Sequence, residues 1–238
     1  MEAIAKYRRL TSNQLKLIAI IAMVVDHVAI VFVPHNTIIW QLMRVIGRLT
    51  APLMCYFIAE GYYHTSNLKK YMGRLLLMAV ISHIPHSLCM GDNIWKFWRA
   101  TDVMFALLFG LIALAACKSE KIPLLGKGLI VILCCLLSYS ADWNYVAVFY
   151  IVGIGLFHGD IRKQILAFCA VSCGYVAQAF VYSTTAPWYL RLGVFLVVPL
   201  LLLYSGQRGK KCNLIKWGFY WFYPIHLLLI YFIAQLVK

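Results

Sequence analysis

Asp26 and His27 stand side by side in IAMVVDHVAI (21–30), within an otherwise apolar run. A charged group at membrane depth costs about 2.5–3.5 kcal/mol on insertion scales, so such residues face a cavity, a partner or a reaction. Lys16 precedes His27 by eleven residues. Eleven steps of ~100° return almost to the starting face of a helix, and ~1.5 Å of rise per step sets the two groups about 16 Å apart. A cation at the mouth of a stripe and an imidazole deep along it suit an elongated anion whose reactive end reaches inward. The plainer alternative is a lysine snorkelling to water below an unrelated polar residue. Asp26 points ~100° away from His27, which fits a partner for a cation on another helix better than a group orienting that imidazole.

Other polar residues lie in or at the ends of apolar runs: Arg44, Arg48, Glu60, His83, His86, Asp102, Arg191 and His226. Arg44 and Arg48 repeat at i, i+4 and stay charged under essentially all conditions. Their shared face therefore calls for an anion: Asp26, Glu60 or a bound ligand. His83 and His86 flank Pro85, which is expected to kink or end its helix. Two histidines near a carboxylate can ligate a metal, but no HExxH-type spacing occurs and no metal is expected. Asp102, after Thr101, reads as a helix N-cap. His226 follows Pro224 in the last run, and Gln178 can bridge helices.

The elements that must hold these groups follow from composition. The 238-residue chain is 63% hydrophobic and 13% charged, with a mean hydropathy of +0.80. Soluble domains are nearer ~45–50% apolar and ~25% charged. The class is thus an integral membrane protein, all-α, because an open sheet edge is not satisfied in lipid. Apolar runs give about nine spans: 13–33, 38–64, 70–90, 102–117, 122–139, 144–158, 163–183, 187–205 and 214–236. Pro52 interrupts the second, and 144–158 is short. No small-residue cleavage site follows the first run, so it reads as a retained helix. Residues 92–101 read as a surface or re-entrant piece with interfacial Trp95 and Trp98. No internal repeat stands out, and 1–238 is read as a single membrane-embedded domain.

Lysines and arginines set the orientation. Lys6, Arg8, Arg9 and Lys16 fall on one side with Lys69, Lys70 and Arg74. Lys118, Lys121 and Lys127, then Arg162 and Lys163, then Arg208, Lys210, Lys211 and Lys216 join them if nine spans alternate. The opposite loops PHNT, SYSADWN and YSTTAP carry none, and only Lys96 and Arg99 run against the trend. The positive-inside rule then puts the N-terminus in the cytoplasm. Scattered between apolar runs, the net charge of +14 fits loops on anionic lipid and not nucleic acid. The eight cysteines lie mostly within apolar runs, lack CxxC spacing and read as small hydrophobes.

The K-x10-H spacing of Lys16 and His27 resembles the R-x10-H signature of the acyltransferase-3 family, with Lys for Arg. GRLTAPLMCYFIAEGYYHT (47–65) and WGFYWFYPIHLLLIYF (217–232) are most similar to TraX proteins, a family named for the enzyme that N-acetylates conjugative pilin. The resemblance runs from the first span to the last. It implies a multi-pass enzyme of the inner membrane that takes acetyl from cytoplasmic acetyl-CoA. It implies catalysis by His27, as general base or transient acyl carrier, with Arg48 as a second-span arginine. Asp26 has a structural or supporting catalytic role. Lys16 matches the position associated with the coenzyme's phosphates, although lysine lacks the bidentate fork of arginine; Arg44, on the face it shares with Arg48, is a second candidate for binding the coenzyme. No glycine-rich phosphate loop is present. The acceptor it implies is a pilin-like amine, with the hydroxyl of a cell-surface glycan as the alternative.

The chemistry is compatible with the residues. An acceptor must lose a proton as it attacks a thioester carbonyl, and imidazole titrates near ~6.5. Arg44 or Arg48 can stabilise the oxyanion. A competing class is a proton-coupled transporter with Asp26, His27 and Glu60 as a relay, but the repeated halves and paired broken helices common in carriers are not evident. A scaffold in a secretion apparatus leaves the buried cations unexplained.

Overall fold

A computed structural model describes residues 9–35, 37–93, 95, 100–181, 187–209 and 213–237, the side chains of 213–216 excepted. Trp98, Lys96, Arg99, Lys6, Arg8, Lys210 and Lys211 lie outside the described residues. Among those described, regular structure is helical, with two isolated parallel bridges, Leu10–Tyr204 and Thr101–Ala141.

The elements are α1 (Ser12–Phe32), α2 (Ile38–Gly47), α3 (Thr50–His64), α4 (Leu68–Met90), α5 (Val103–Lys118), α6 (Leu124–Leu137), α7 (Asn144–Leu156) and α8 (Ile161–Val181). A 3-10 segment (Trp188–Leu196), α9 (Val197–Leu203) and α10 (Asn213–Val237) follow. They fill the nine apolar runs. Among the described residues, five stretches are long and apolar enough to cross a membrane: Ser12–Phe32, Ile38–His64, Leu68–Met90, Ile161–Val181 and Trp217–Val237. The 14 residues of α6 expose Leu124, Leu125, Leu129, Ile132, Leu133, Leu136 and Leu137, an apolar surface suited to lipid.

Starts and stops obey local chemistry. Thr11 and Gln14 form a capping box on α1, while Thr37 and Asn67 cap α2 and α4; each satisfies an amide that the helix leaves open. Gly91 closes α4 at φ 75°, a left-handed cap that favours glycine.

The proline expectations are refined. Pro52 interrupts the second run, but the break falls upstream, at Arg48–Leu49, separating α2 from α3. Proline lacks an amide hydrogen, so the carbonyl four residues back, that of Arg48, has no helical partner. Pro52 then sits in the first turn of α3, where the missing donor is harmless. Pro85 does not end its helix, since α4 continues to Met90.

The chain forms two compact units, 1–54 with 172–222, and 55–171 with 223–238. In the first, α1 packs on α2 and α2 on the 3-10 segment, with Ala29, Trp40 and Leu190 forming a buried cluster. At one end, Leu10 N–H donates to Leu203 O (3.0 Å) and Ser12 N–H to Gln207 O (2.8 Å), which gathers Arg9 and Arg208 there. The 3-10 segment has 9 residues and α9 has 7. At ~2.0 and ~1.5 Å per residue they reach about 28 Å, close to the ~30 Å of bilayer hydrocarbon.

Gly193 is the point of closest approach in this unit. A Cβ there would collide with the backbone carbonyl of Val45 and crowd Arg48 Cβ at 3.1 Å. Because a carbonyl in α2 cannot rotate aside, Gly193→Ala is expected to destabilise the protein by about 1–3 kcal/mol. Unfolding in detergent reads this directly, and a wild-type value would deny the close approach.

In the second unit, α5 packs against α4, α6 and α7. Lys118 Nζ donates to Leu156 O at 3.3 Å, joining the ends of α5 and α7. At the opposite end Thr101 N–H donates to Ser140 O (2.9 Å) and Asp142 N–H to Thr101 O (3.0 Å). Successive helices α4 to α7 therefore alternate in direction. Lys118 and Lys121 share an end with Arg162 and Lys163, as the charge count requires.

Candidate active site

Helix α1 turns Leu15, Ala19, Met23 and His27 inward at four-residue spacing. His27 is 8% exposed, so its ring faces protein and not lipid. Lys16, on nearly the same face, has Nζ 5.5 Å from the centroid of the Phe219 ring, and Arg208 lies within electrostatic range.

Asp26 does what its angle from His27 suggests. Its Oδ1 lies 2.7 Å from Arg44 Nη1, with side chains 19% and 16% exposed. Gly47 permits this contact: a Cβ there would occupy the space of the Asp26 carboxylate. Arg44 also lies over the Trp40 ring at 5.8 Å, and its Nε is a buried donor with no hydrogen-bond partner among the described residues.

The helix break puts Arg48 at the end of α2, where the last turn's carbonyls favour a cation. Arg48 Nη1 donates to the Tyr175 hydroxyl at 3.0 Å. Arg191 Nη1 donates to Tyr175 O at 2.7 Å and to Gln178 Oε1 at 3.1 Å, with its guanidinium 4.6 Å from the Tyr175 ring centroid. Tyr175 thus joins two arginines from distant parts of the chain. Sequence reasoning missed it, although Gln178, three residues along α8, was readable as a bridging group.

Lys16, Asp26, His27, Arg44, Arg48 and Arg191 all belong to the first unit, and Asp26 is the only acidic residue among its described residues. The other candidates belong to the second unit. Glu60 meets His64 and His158. His86 Nε2 lies 3.0 Å from Asp142 Oδ2. Asp102 caps α5 through Met104 N–H at 3.1 Å, as its position after Thr101 suggests. His83 and His226 are buried, the latter with its ring 5.7 Å from that of Tyr223. His86 Nδ1, Asp102 Oδ2 and the hydroxyls of Ser82 and Ser87 are buried with no hydrogen-bond partner among the described residues. Asp142 and His158 were missed because each meets its partner only across packed helices. Cys55 and Cys134 are buried as expected of small hydrophobes, whereas Cys173 is exposed.

A family model described as TraX protein matches residues 11–234. A probable fimbrial assembly protein FimC, serogroup H1, of Dichelobacter nodosus is 32% identical over 231 residues, covering 91% of this chain and 93% of that protein. An uncharacterised protein, RP591, of Rickettsia prowazekii (strain Madrid E) is 22% identical over 249 residues, covering 97% and 94%. No solved structure matches.

Proposed function

The chain belongs to the TraX family, and on that footing we propose that it is a multi-pass membrane acetyltransferase. It moves acetyl from cytoplasmic acetyl-CoA to the amine of a pilin-like protein. The observation that carries this reading is the charge of the first unit. A buried imidazole, His27, shares its unit with Lys16, Arg44, Arg48 and Arg191 against Asp26 as the only acid among the described residues. Cations so placed in an apolar setting suit a polyanionic ligand, and the phosphates of coenzyme A supply one. The buried Nε of Arg44 is a donor still available to it.

The acceptor nitrogen attacks the thioester carbonyl, a C–N bond forms, and an oxyanion develops. Arg48 is oriented by Tyr175 and supplies fixed positive charge to such an oxyanion. As the intermediate collapses the C–S bond breaks, the nitrogen's proton passes to His27, and the imidazolium returns it to the departing sulfur. The products are an amide and free thiol. If His27 is the acyl carrier, the same balance holds in two steps through an acetyl-imidazole.

The test compares envelope proteins and glycans from cells with and without this protein by intact mass spectrometry. One acetyl group on the N-terminal amine of a pilin-like protein is expected. Acetyl confined to a glycan hydroxyl would overturn the acceptor, and no acetyl difference would overturn the enzyme.

A further inference from the structure

We propose that Glu60, His64 and His158 bind one divalent transition-metal ion of the zinc class. Glu60 and His64 lie one turn apart on α3, and His158 comes from the turn after α7. His64 Nε2 is 3.5 Å from Glu60 Oε2, and His158 Nε2 is 3.4 Å from Glu60 Oε1. One donor atom from each residue falls within 4.8 Å of the other two. Charge-assisted hydrogen bonds close to about 2.7–2.9 Å, so these spacings are long for ion pairs. The two contacts use different oxygens of Glu60, and the ~3.3 Å edges of a tetrahedron with ~2.0–2.1 Å bonds are reached on a single oxygen when the exposed His64 side chain turns toward it.

The donor set selects the ion. Two imidazoles and one carboxylate favour zinc over calcium or magnesium, which take oxygen ligands, and over copper(I), which prefers sulfur. Three protein ligands leave a fourth position open, and His64, with its side chain 71% exposed, keeps that position accessible. The ring of His158 is fixed before any ion arrives. It stacks on Tyr63 at 3.8 Å between centroids and 15° between planes, and Tyr63 is itself held by donating to Gly155 O at 2.5 Å. Lys118 Nζ donates to Leu156 O and lies 5.9 Å from the centroid of the Tyr63 ring, which stands between it and His158.

The experiment uses the full chain without a polyhistidine tag, purified in detergent, stripped with a chelator and titrated with zinc against a chromogenic competitor. One equivalent is expected to bind, and cobalt(II) to give the intense visible bands of tetrahedral coordination. Removing an outer partner of a metal ligand weakens sites by ~10–100-fold, so Glu60→Gln, His64→Ala and His158→Ala should each weaken zinc binding at least ~100-fold. His64→Ala is the informative variant, because so exposed a side chain can be removed without unfolding the helix. Zinc should raise the Tm of wild type and not of His64→Ala. His35→Ala, at an exposed histidine of the other unit, should bind as wild type. Absence of zinc binding by wild type, or unchanged binding in His64→Ala, would overturn the site.

Discussion

His27→Ala is expected to lower acetyl transfer by at least ~10²–10⁴-fold, the range that a positioned general acid–base contributes. Loss of a covalent carrier would cost more, because the two-step route closes altogether. The two roles separate when acceptor is withheld. A carrier retains labelled acetyl on the wild-type protein and none on His27→Ala, whereas a base leaves both unlabelled. Folding is read alongside, since His27 is 8% exposed and its removal opens space inside the first unit. His27→Gln, nearer in volume and polar, supplies the control. If it unfolds like wild type but transfers no acetyl, the deficit is chemical. If either variant retains wild-type transfer, His27 is not catalytic.

Much of the fold is legible in the sequence because hydropathy alone marks helices in lipid. Run 70–90 became Leu68–Met90 and 144–158 became Asn144–Leu156, each within two residues. Long-range partners are a different matter. Asp26 reads as the mate of a cation from its angle on α1, yet its contact with Arg44 depends on α2 packing close enough for Gly47 to admit the carboxylate. Nothing local to Tyr175 marks it as the hub of Arg48 and Arg191, because a tyrosine in an apolar helix is ordinary. Glu60 stood out in the sequence as a carboxylate in an apolar run, but His64, one turn along α3, did not, and His158 joins them through the α7 turn. The same holds for Asp142 at His86. Local periodicity fixes which side chains share a helix face; their mates depend on which helices become neighbours.

Asp26→Asn gives the second large effect and probes that pairing. The substitution keeps the shape that fits over Gly47 and removes only the charge. Arg44 is then left 16% exposed in a unit with no other acidic residue among those described. Breaking a buried pair in this way costs about 3–5 kcal/mol, chiefly through the charge left behind. Removing that charge as well should recover most of the loss, so Asp26→Asn with Arg44→Gln is expected to lie nearer wild type than Asp26→Asn alone. Unfolding in detergent checks the order of the three proteins. The double variant also divides the roles of Asp26. If its stability returns but acetyl transfer does not, one or both side chains serve the reaction as well as the fold. If stability and transfer return together, the pair holds α1 against α2 and nothing more. Should Asp26→Asn prove as stable as wild type, the ion pair does not hold this unit together, and the cation excess that supports a polyanionic donor loses its one structural counterweight.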